Sequence, residues 1–152
     1  NVDIILNGID GFPVLGKEIL AGDLSVTLGS SSAIFASNLS SLGVKVAFIG
    51  KLGLDNFARV VLESLEKKNV DTSRIIRTDA FNTGATIVLN YDQDRANVTY
   101  PGAMNDLRLQ DIDFEFLGNA RHMHFSSCFL QPGIRPDLVE LFDRAKGLGL
   151  TT

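Results

Sequence analysis

The alternation of helical and strand-like segments between residues 31 and 69 constrains the fold more than any other feature of this sequence. Residues 31–42 suit a helix, and Gly43 follows where helices often end in the left-handed conformation. The apolar, β-rich run 44–49 predicts a buried strand. Asp55 is suited to cap a second helix. This order predicts a parallel α/β sheet with right-handed connections.

Apolar stripes at helical spacing predict the faces that the two helices bury. The second helix ends in Lys67-Lys68-Asn69, whose positive charges suit the negative end of a helix dipole. The stripes are Phe35, Leu39 and Leu42 in the first helix and Phe57, Val60, Val61 and Leu65 in the second.

Short β-prone runs surround these helices. The polar segment Tyr91–Arg95 separates two of the runs and predicts a hairpin. A β insertion in an α/β chain often forms a lid or a contact surface, and an ordinary edge hairpin is the alternative. The predicted strands are 2–6, as a buried strand of the α/β sheet, and 25–28, 74–77, 85–90 and 98–100.

The α/β alternation returns after the hairpin. Residues 110–116 predict a short helix, 122–125 a strand, and Pro136 the first turn of a helix with Leu138, Leu141, Phe142 and Ala145 as its stripe. Residues 148–152 read as the beginning of another strand, and the chain opens with Asn1 rather than Met. We therefore expect an amino-terminal piece of a longer protein.

Composition places the chain among ordinary globular domains. Its 152 residues are 45% hydrophobic and 21% charged, which excludes a disordered tail. A net charge of −4 without a basic cluster makes it a poor binder of nucleic acid or anionic membranes. The single cysteine, Cys128, cannot form an internal disulfide. Since the sequence also shows no membrane span or signal-peptide pattern, we expect a reducing, cytoplasmic setting.

Two features could bind a polar ligand. Gly29-Ser30-Ser31-Ser32 precedes a predicted helix, where backbone N–H groups can approach an oxygen-rich molecule. The alternative is a small-residue loop that eases helix–strand packing, and the patterns of nucleotide-binding loops are absent. Asp3 interrupts an apolar strand, which is costly unless the carboxylate is paired or faces a site. It could accept hydrogen bonds from sugar hydroxyls, or it could cap a neighbouring loop.

Other reactive residues favour plainer interpretations. His122, His124 and Cys128 lack a second ligand cluster at metal-binding spacing, so we expect core or edge histidines. Cys128 lacks a recognisable hydrolase context and is predicted to be a small buried hydrophobe. Arg95 in the hairpin is predicted to be solvated, although a lid arginine could touch a ligand.

Residues 29–70 as a unit resemble the first signature of the ribokinase-like (phosphofructokinase-B type) carbohydrate kinases. The resemblance extends over essentially the whole chain, because further family features follow in order. These are a Gly-rich turn, a helix ending in Leu-Gly, a strand ending in Ile-Gly, Gly-x-Asp-x-Phe at 53–57, Asn69–Ser73, Thr83-Gly84, Arg95, Pro101-Gly102-Ala103 and Ala120–His124.

The resemblance implies a central α/β sheet with helices on both sides and a small β lid, from segments near 14–28 and 84–101. It implies phosphorylation of a sugar, or of a nucleoside, by ATP with Mg²⁺, and a possible homodimer through the lid. Asp3 then matches the acidic residue that grips substrate hydroxyls, and Asn1 a polar position before it. Gly29 and Ser30 match a Gly-Gly pair whose backbone meets the substrate, and Asp55 a structural cap.

The chain also departs from the family pattern. Ser30 replaces the second glycine, Ile34 replaces an asparagine and Ala58 replaces a glycine. Ser30 and Ile34 keep open a non-catalytic sugar-binding or regulatory protein. A dinucleotide-binding domain is disfavoured because the glycine fingerprint is missing.

The second family signature, which supplies the general base and much of the nucleotide pocket, does not occur in residues 1–152. The resemblance therefore implies that the catalytic aspartate lies beyond Thr152 and that residues 1–152 contain no catalytic residue. We expect this chain alone to be inactive.

Overall fold

The computed structural model describes residues 1–91 and 93–152. Asp92, which belongs to the predicted turn Tyr91–Arg95, lies outside the described residues. Short 3-10 turns connect several elements between residues 102 and 137. The strands are β1 (Val2–Asn7), β2 (Asp23–Leu28), β3 (Gly50–Leu52), β4 (Ile75–Arg77), β5 (Ala85–Tyr91) and β6 (Asp94–Tyr100), and the helices are α1 (Ser31–Ser41), α2 (Asn56–Glu66), α3 (Phe114–Leu117) and α4 (Leu138–Gly147).

A four-stranded sheet contains β1, in the order β2-β1-β5-β6. β1 pairs antiparallel with β2 and parallel with β5, and β5 and β6 form the predicted hairpin. Val2–Asn7 forms the predicted strand, but the prediction that this strand is buried is wrong, because only Val2 is fully buried. Its neighbours are the mostly exposed strand β2 and the half-exposed strand β5, and the apolar run alone could not reveal this pairing.

A smaller parallel pair, β3 and β4, lies beside the helices. The predicted strand at 44–49 is wrong, since Ala47 makes one isolated bridge to Asp71 and the regular strand begins at Gly50. A regular strand needs a continuous ladder of backbone hydrogen bonds. Among the described residues, the segment 44–49 forms only this one bridge.

The two predicted strands near the carboxyl-terminal end, 122–125 and 148–152, are also wrong as regular strands. Their pairing is reduced to a single parallel bridge between His122 and Thr151. Thr152, the last residue of the predicted run, is exposed and lies outside any strand. One bridge fixes the two segments side by side but does not make a ladder.

Helix α1 buries a face of small residues instead of its large ones. Ala33, Ala36 and Ser37 are buried, whereas Leu42 is 81% exposed. The predicted stripe of Phe35, Leu39 and Leu42 is therefore wrong as a core face. Small residues let the helix approach its neighbours closely, which the hydrophobicity pattern alone does not indicate.

Helix α2 and helix α4 bury their predicted faces. Val61 and Leu65 of α2 pack with Val2 and Leu52 in the larger core cluster. Leu141 of α4 packs in a second cluster. The predicted helix at 110–116 is divided between a 3-10 turn at 109–111 and α3. No helix among the described residues is both long and apolar enough to cross a membrane.

Candidate active site

Asp3 and Gly29 meet at one end of the four-stranded sheet. Asp3 lies on β1 and pairs with Thr27 of β2, and Gly29 directly follows β2. A β-carbon on Gly29 would collide with the Asp3 carboxylate and stand 2.7 Å from its Cγ atom. Real β-carbons do not approach other heavy atoms so closely, so any other residue here would require the Asp3 side chain to move. The structure thus brings together the carboxylate and the small-residue turn that the sequence singled out.

Asn1 contacts both Gly29 and Gly84. Its carbonyl oxygen accepts a hydrogen bond from the Gly29 N–H at 3.0 Å. Its side-chain oxygen lies against Gly84, where any β-carbon would overlap it, and is buried with no hydrogen-bond partner among the described residues. Asn1, Asp3, Gly29 and Gly84 therefore form one compact group, called here the β1 corner.

Asp55 lies near the β1 corner and contacts Thr83, the residue just before Gly84. Its Oδ1 atom accepts from the Ala58 N–H at 2.9 Å, which confirms the predicted helix cap. Its Oδ2 atom accepts from the Thr83 N–H at 2.6 Å, and the Thr83 hydroxyl accepts from the Gly53 N–H at 3.0 Å. Burial alone would raise the pKa of Asp55, but the N–H donors of Thr83 and Ala58 bring its pKa below the usual value.

One face of the four-stranded sheet is mostly polar. Residues directly opposite in neighbouring strands share a face, so Asp3 lies in a row with Thr27, Thr86 and Thr99. Arg95 lies farther along the same face. Burial raises the pKa of Asp3, and the positive charge of Arg95 opposes this rise without cancelling it. The face therefore offers acceptors and donors suited to hydroxyl groups.

Ser30 leads into α1 with an unusual backbone. Its φ is 72°, and its side chain makes no capping hydrogen bond. A serine at positive φ is strained, because this region favours glycine. The strain coincides with the position where the family pattern has a second glycine.

A cluster of serine hydroxyls follows Ser30. Ser31 lies 3.0 Å from Ser126 and 2.8 Å from Ser127, and Ser32 lies 2.5 Å from Ser126 (hydroxyl to hydroxyl). These contacts join the first turn of α1 to the turn after residues 122–125. The sequence showed small residues at both places but gave no sign that they meet.

Lys51 was missed by the sequence reasoning. Its Nζ atom lies 2.9 Å from the Asp106 carboxylate and 3.1 Å from that of Asp111, and its side chain is 11% exposed. Burial opposes the charge, yet the hydrogen bonds that Lys51 donates to both carboxylates raise its pKa above the usual value. Since its partners lie 55 and 60 residues away, no local pattern could have revealed the cluster.

A groove of about 770 Å³ runs beside the β1 corner. Phe35 and Leu39 of α1, the segments 44–52 and 119–125, and Asn1 line it. His124 stacks on Phe35 with 4.4 Å between ring centroids, whereas His122 Nδ1 lies 2.8 Å from the Thr151 hydroxyl.

Cys128 is half-buried, so the prediction of a buried small hydrophobe is wrong. The residue begins a short 3-10 turn, Cys128–Leu130, in which no residue is fully buried. The turn holds the thiol near the surface, and no apolar pattern around a single cysteine could have indicated this.

Known proteins resemble the chain over most of its length. The pattern of the pfkB family carbohydrate kinases matches residues 16–150. The chain belongs to this family. A 5-dehydro-2-deoxygluconokinase of Clostridium botulinum is 31% identical over 68% of this chain and 32% of its own length. The chain spans less than half the length of the curated relatives it matches first.

Solved structures of a fructokinase and a ribokinase share the fold. A fructokinase of Halothermothrix orenii aligns with a TM-score of 0.80 and 26% identity, over 98% of this chain and 51% of that one. An Arabidopsis thaliana ribokinase, solved with ribose and ATP, aligns with a TM-score of 0.80 and 21% identity over 99% of this chain and 48% of its own. The fold is therefore the ribokinase-like α/β fold, as the sequence predicted.

Proposed function

We propose that the protein containing this chain transfers the γ-phosphoryl group of ATP to a hydroxyl of a sugar. Its family consists of carbohydrate kinases. The observation that carries the proposal for this chain is the contact between the Asp3 carboxylate and the Gly29 backbone. A carboxylate held over a backbone turn can accept hydrogen bonds from two neighbouring hydroxyl groups of one sugar ring.

In this proposal, polar residues beside Asp3 orient that sugar. Asn1 and Ser30 line the groove beside Asp3, and Thr86 and Thr99 continue the polar face with hydroxyls 3.1 Å apart. In this proposal the segments near 14–28 and 84–101 act as a lid over the sugar. A lid that excludes water protects the phosphoryl group from hydrolysis.

The described residues do not fit the other half of the reaction. They contain no group of three His, Cys, Asp or Glu residues placed to hold a metal ion such as Mg²⁺. We therefore derive no step through Mg-ATP from this chain. The proposal assigns the nucleotide site and the general base, an aspartate expected beyond Thr152, to the rest of the kinase. The proposal predicts that residues 1–152 alone do not phosphorylate a sugar with ATP.

Replacement of Asp3 tests the proposal. The full-length protein is assayed for ATP consumption against a panel of sugars, sugar acids and nucleosides. We expect Asp3→Asn to lower kcat/KM at least tenfold for the accepted substrate, because an amide accepts fewer hydroxyl hydrogen bonds than a carboxylate. The matched control is Asp10→Asn, which changes an exposed carboxylate in the loop after β1.

The control should retain the kcat/KM of the unmodified protein. Equal losses in the Asp3 and Asp10 variants, or full activity of Asp3→Asn, would contradict the assignment of Asp3. Failure of the full-length protein to phosphorylate any member of the panel would contradict the kinase proposal itself.

The second face of the four-stranded sheet supports a homodimer. Leu24, Val26, Ile87 and Val98 lie on this face, and each is at least 41% exposed. The strands β2 and β6 are both sheet edges. An exposed apolar face of this kind is usually covered by another protein surface. A second copy of the chain is the occupant we propose, because the face is continuous across all four strands and self-complementary in its apolar character.

Ser30 favours one alternative function. Its strained backbone stands where a glycine would allow closer approach of a ligand. A sugar-binding or regulatory protein on this fold would bind a sugar without transferring phosphate. Binding measured by calorimetry in a protein that shows no ATP-dependent turnover would favour this alternative.

A cytoplasmic location follows from the kinase proposal, since ATP and sugar substrates meet there.

A further inference from the structure

Asp55 does more than cap helix α2. An N-cap requires one side-chain oxygen, and Oδ1 meets this need through the Ala58 N–H. The second oxygen accepts a hydrogen bond from the Thr83 N–H at 2.6 Å, 28 residues along the chain. This Asp55–Thr83 bridge connects the start of α2 to the residue just before Gly84 and strand β5.

The backbone around Thr83 is too closely packed to move independently. The Thr83 side chain is 1% exposed. A β-carbon on Gly53 would lie 2.7 Å from the Thr83 nitrogen, and one on Gly102 would lie 2.7 Å from the Gly84 nitrogen. Gly102 follows strand β6 and has a φ of 55°. Both ends of the β5–β6 hairpin therefore converge on the Asp55–Thr83 bridge.

Backbone contacts continue from the bridge to Asp3. The Gly84 carbonyl accepts a hydrogen bond from the Val2 N–H at 3.1 Å. The Asn1 carbonyl accepts from the Gly29 N–H, and Gly29 lies directly against the Asp3 carboxylate. A shift of Thr83 would therefore displace Gly84, then β1, then the pair formed by Asp3 and Gly29.

We propose that Asp55 is a positioning residue, which fixes the base of the β5–β6 hairpin to helix α2 and thereby holds Asp3 and Gly29 in register. The sugar-binding consequence rests on the proposed function, whereas the mechanical link does not. An ionised carboxylate makes the bond to Thr83 strong, and the depressed pKa of Asp55 keeps it ionised near neutral pH. The role differs from capping because it depends on the second oxygen.

The variant Asp55→Ser separates the two roles. Serine caps helices about as well as aspartate but has one oxygen on a shorter side chain. Amide hydrogen exchange is measured at neutral pH on this chain, without sugar or ATP. We expect exchange at Thr83 and Val2 to accelerate at least tenfold, since hydrogen bonds to charged groups contribute more than neutral ones. Exchange within α4 should not change.

The matched control is Asp113→Ser. Asp113 caps α3 through the Phe116 N–H at 2.9 Å, on a helix outside the β1 corner. Helical content, measured by circular dichroism, shows that both variants fold. The proposal is overturned if Asp55→Ser leaves exchange at Val2 unchanged, whatever happens at Thr83, or if Asp113→Ser accelerates exchange at Val2 equally.

The full-length protein tests the consequence for the sugar site. We expect Asp55→Ser to raise KM for the accepted sugar about tenfold with a smaller change in kcat, because the reacting groups of the nucleotide side remain in place. Accelerated exchange with an unchanged KM would overturn the positioning role. If the unmodified protein phosphorylates no sugar, the kinase proposal fails, and the exchange experiment alone decides whether the link exists.

Discussion

Gly29 of the β1 corner and the adjacent Ser30 show how closely the backbone is constrained at the start of α1. Gly29 has no room for a β-carbon because the Asp3 carboxylate occupies that space. Ser30 has a side chain although its φ is 72°. A glycine is therefore needed at the first position, and it would relieve strain at the second.

We expect Ser30→Gly to stabilise the chain by about 1 kcal/mol, because backbone strain of this kind costs about 1–3 kcal/mol and glycine's extra unfolded-state entropy offsets part of the gain. Gly29→Ala should destabilise it by about 2 kcal/mol, since the added methyl group meets Asp3. Urea unfolding measures both changes. A destabilised Ser30→Gly variant would show that the serine hydroxyl contributes more than its backbone costs.

At the scale of elements, polar contacts connect elements that lie far apart in the sequence. The Lys51 ammonium holds the two 3-10 turns that follow β6 against β3, through Asp106 and Asp111. Asp111 also accepts from the Arg108 N–H at 2.9 Å. The cluster therefore fixes the path of the chain between the four-stranded sheet and α3.

We expect Lys51→Met to destabilise the chain by about 2–3 kcal/mol, because Asp111 loses its counterion and Asp106 keeps only the more exposed Arg108. Arg59→Met is the control, since the Arg59–Glu63 pair lies on the surface with 64% and 48% of the side chains exposed. Its loss should change the free energy of unfolding by less than about 0.5 kcal/mol. Equal effects of the two substitutions in thermal or urea unfolding would show that the Lys51 cluster is no stronger than a surface pair.

At the scale of the whole molecule, the four-stranded sheet has two unlike faces. The polar face contains Asp3 and Arg95, and the other face presents Ile87 and Val98 to solvent. One sheet could thus serve a substrate on one side and a second copy of the chain on the other. Both uses depend on the alternation of side chains along each strand.

The proposed dimer predicts a change in mass for one variant of β6. Val98→Lys should convert the dimer to a monomer, because it places a charge in the apolar face. Asn97→Lys adds the same charge to the opposite face and should leave the dimer intact. Size-exclusion chromatography with light scattering measures the mass. A monomeric unmodified protein, or a monomer in both variants, would contradict an interface on this face.

Local interactions were predictable from the sequence alone. Asp55 caps α2, Gly43 ends α1 at a φ of 87°, and the β5–β6 hairpin surrounds a polar turn. Each depends on residues within a few positions of one another, where propensity and capping decide. The order of motifs likewise indicated the family, and the resemblance assigned both Asp3 and Gly29 to the substrate.

Only the tertiary structure decided which segments lie side by side. β1 joins the hairpin rather than the parallel pair, 44–49 makes a single bridge, and Asp55 reaches Thr83. Lys51 and the serine cluster likewise join residues at least 55 positions apart. Strand pairing and buried polar contacts depend on partners brought together by the packing of the whole chain, and a short window of sequence contains no record of those partners.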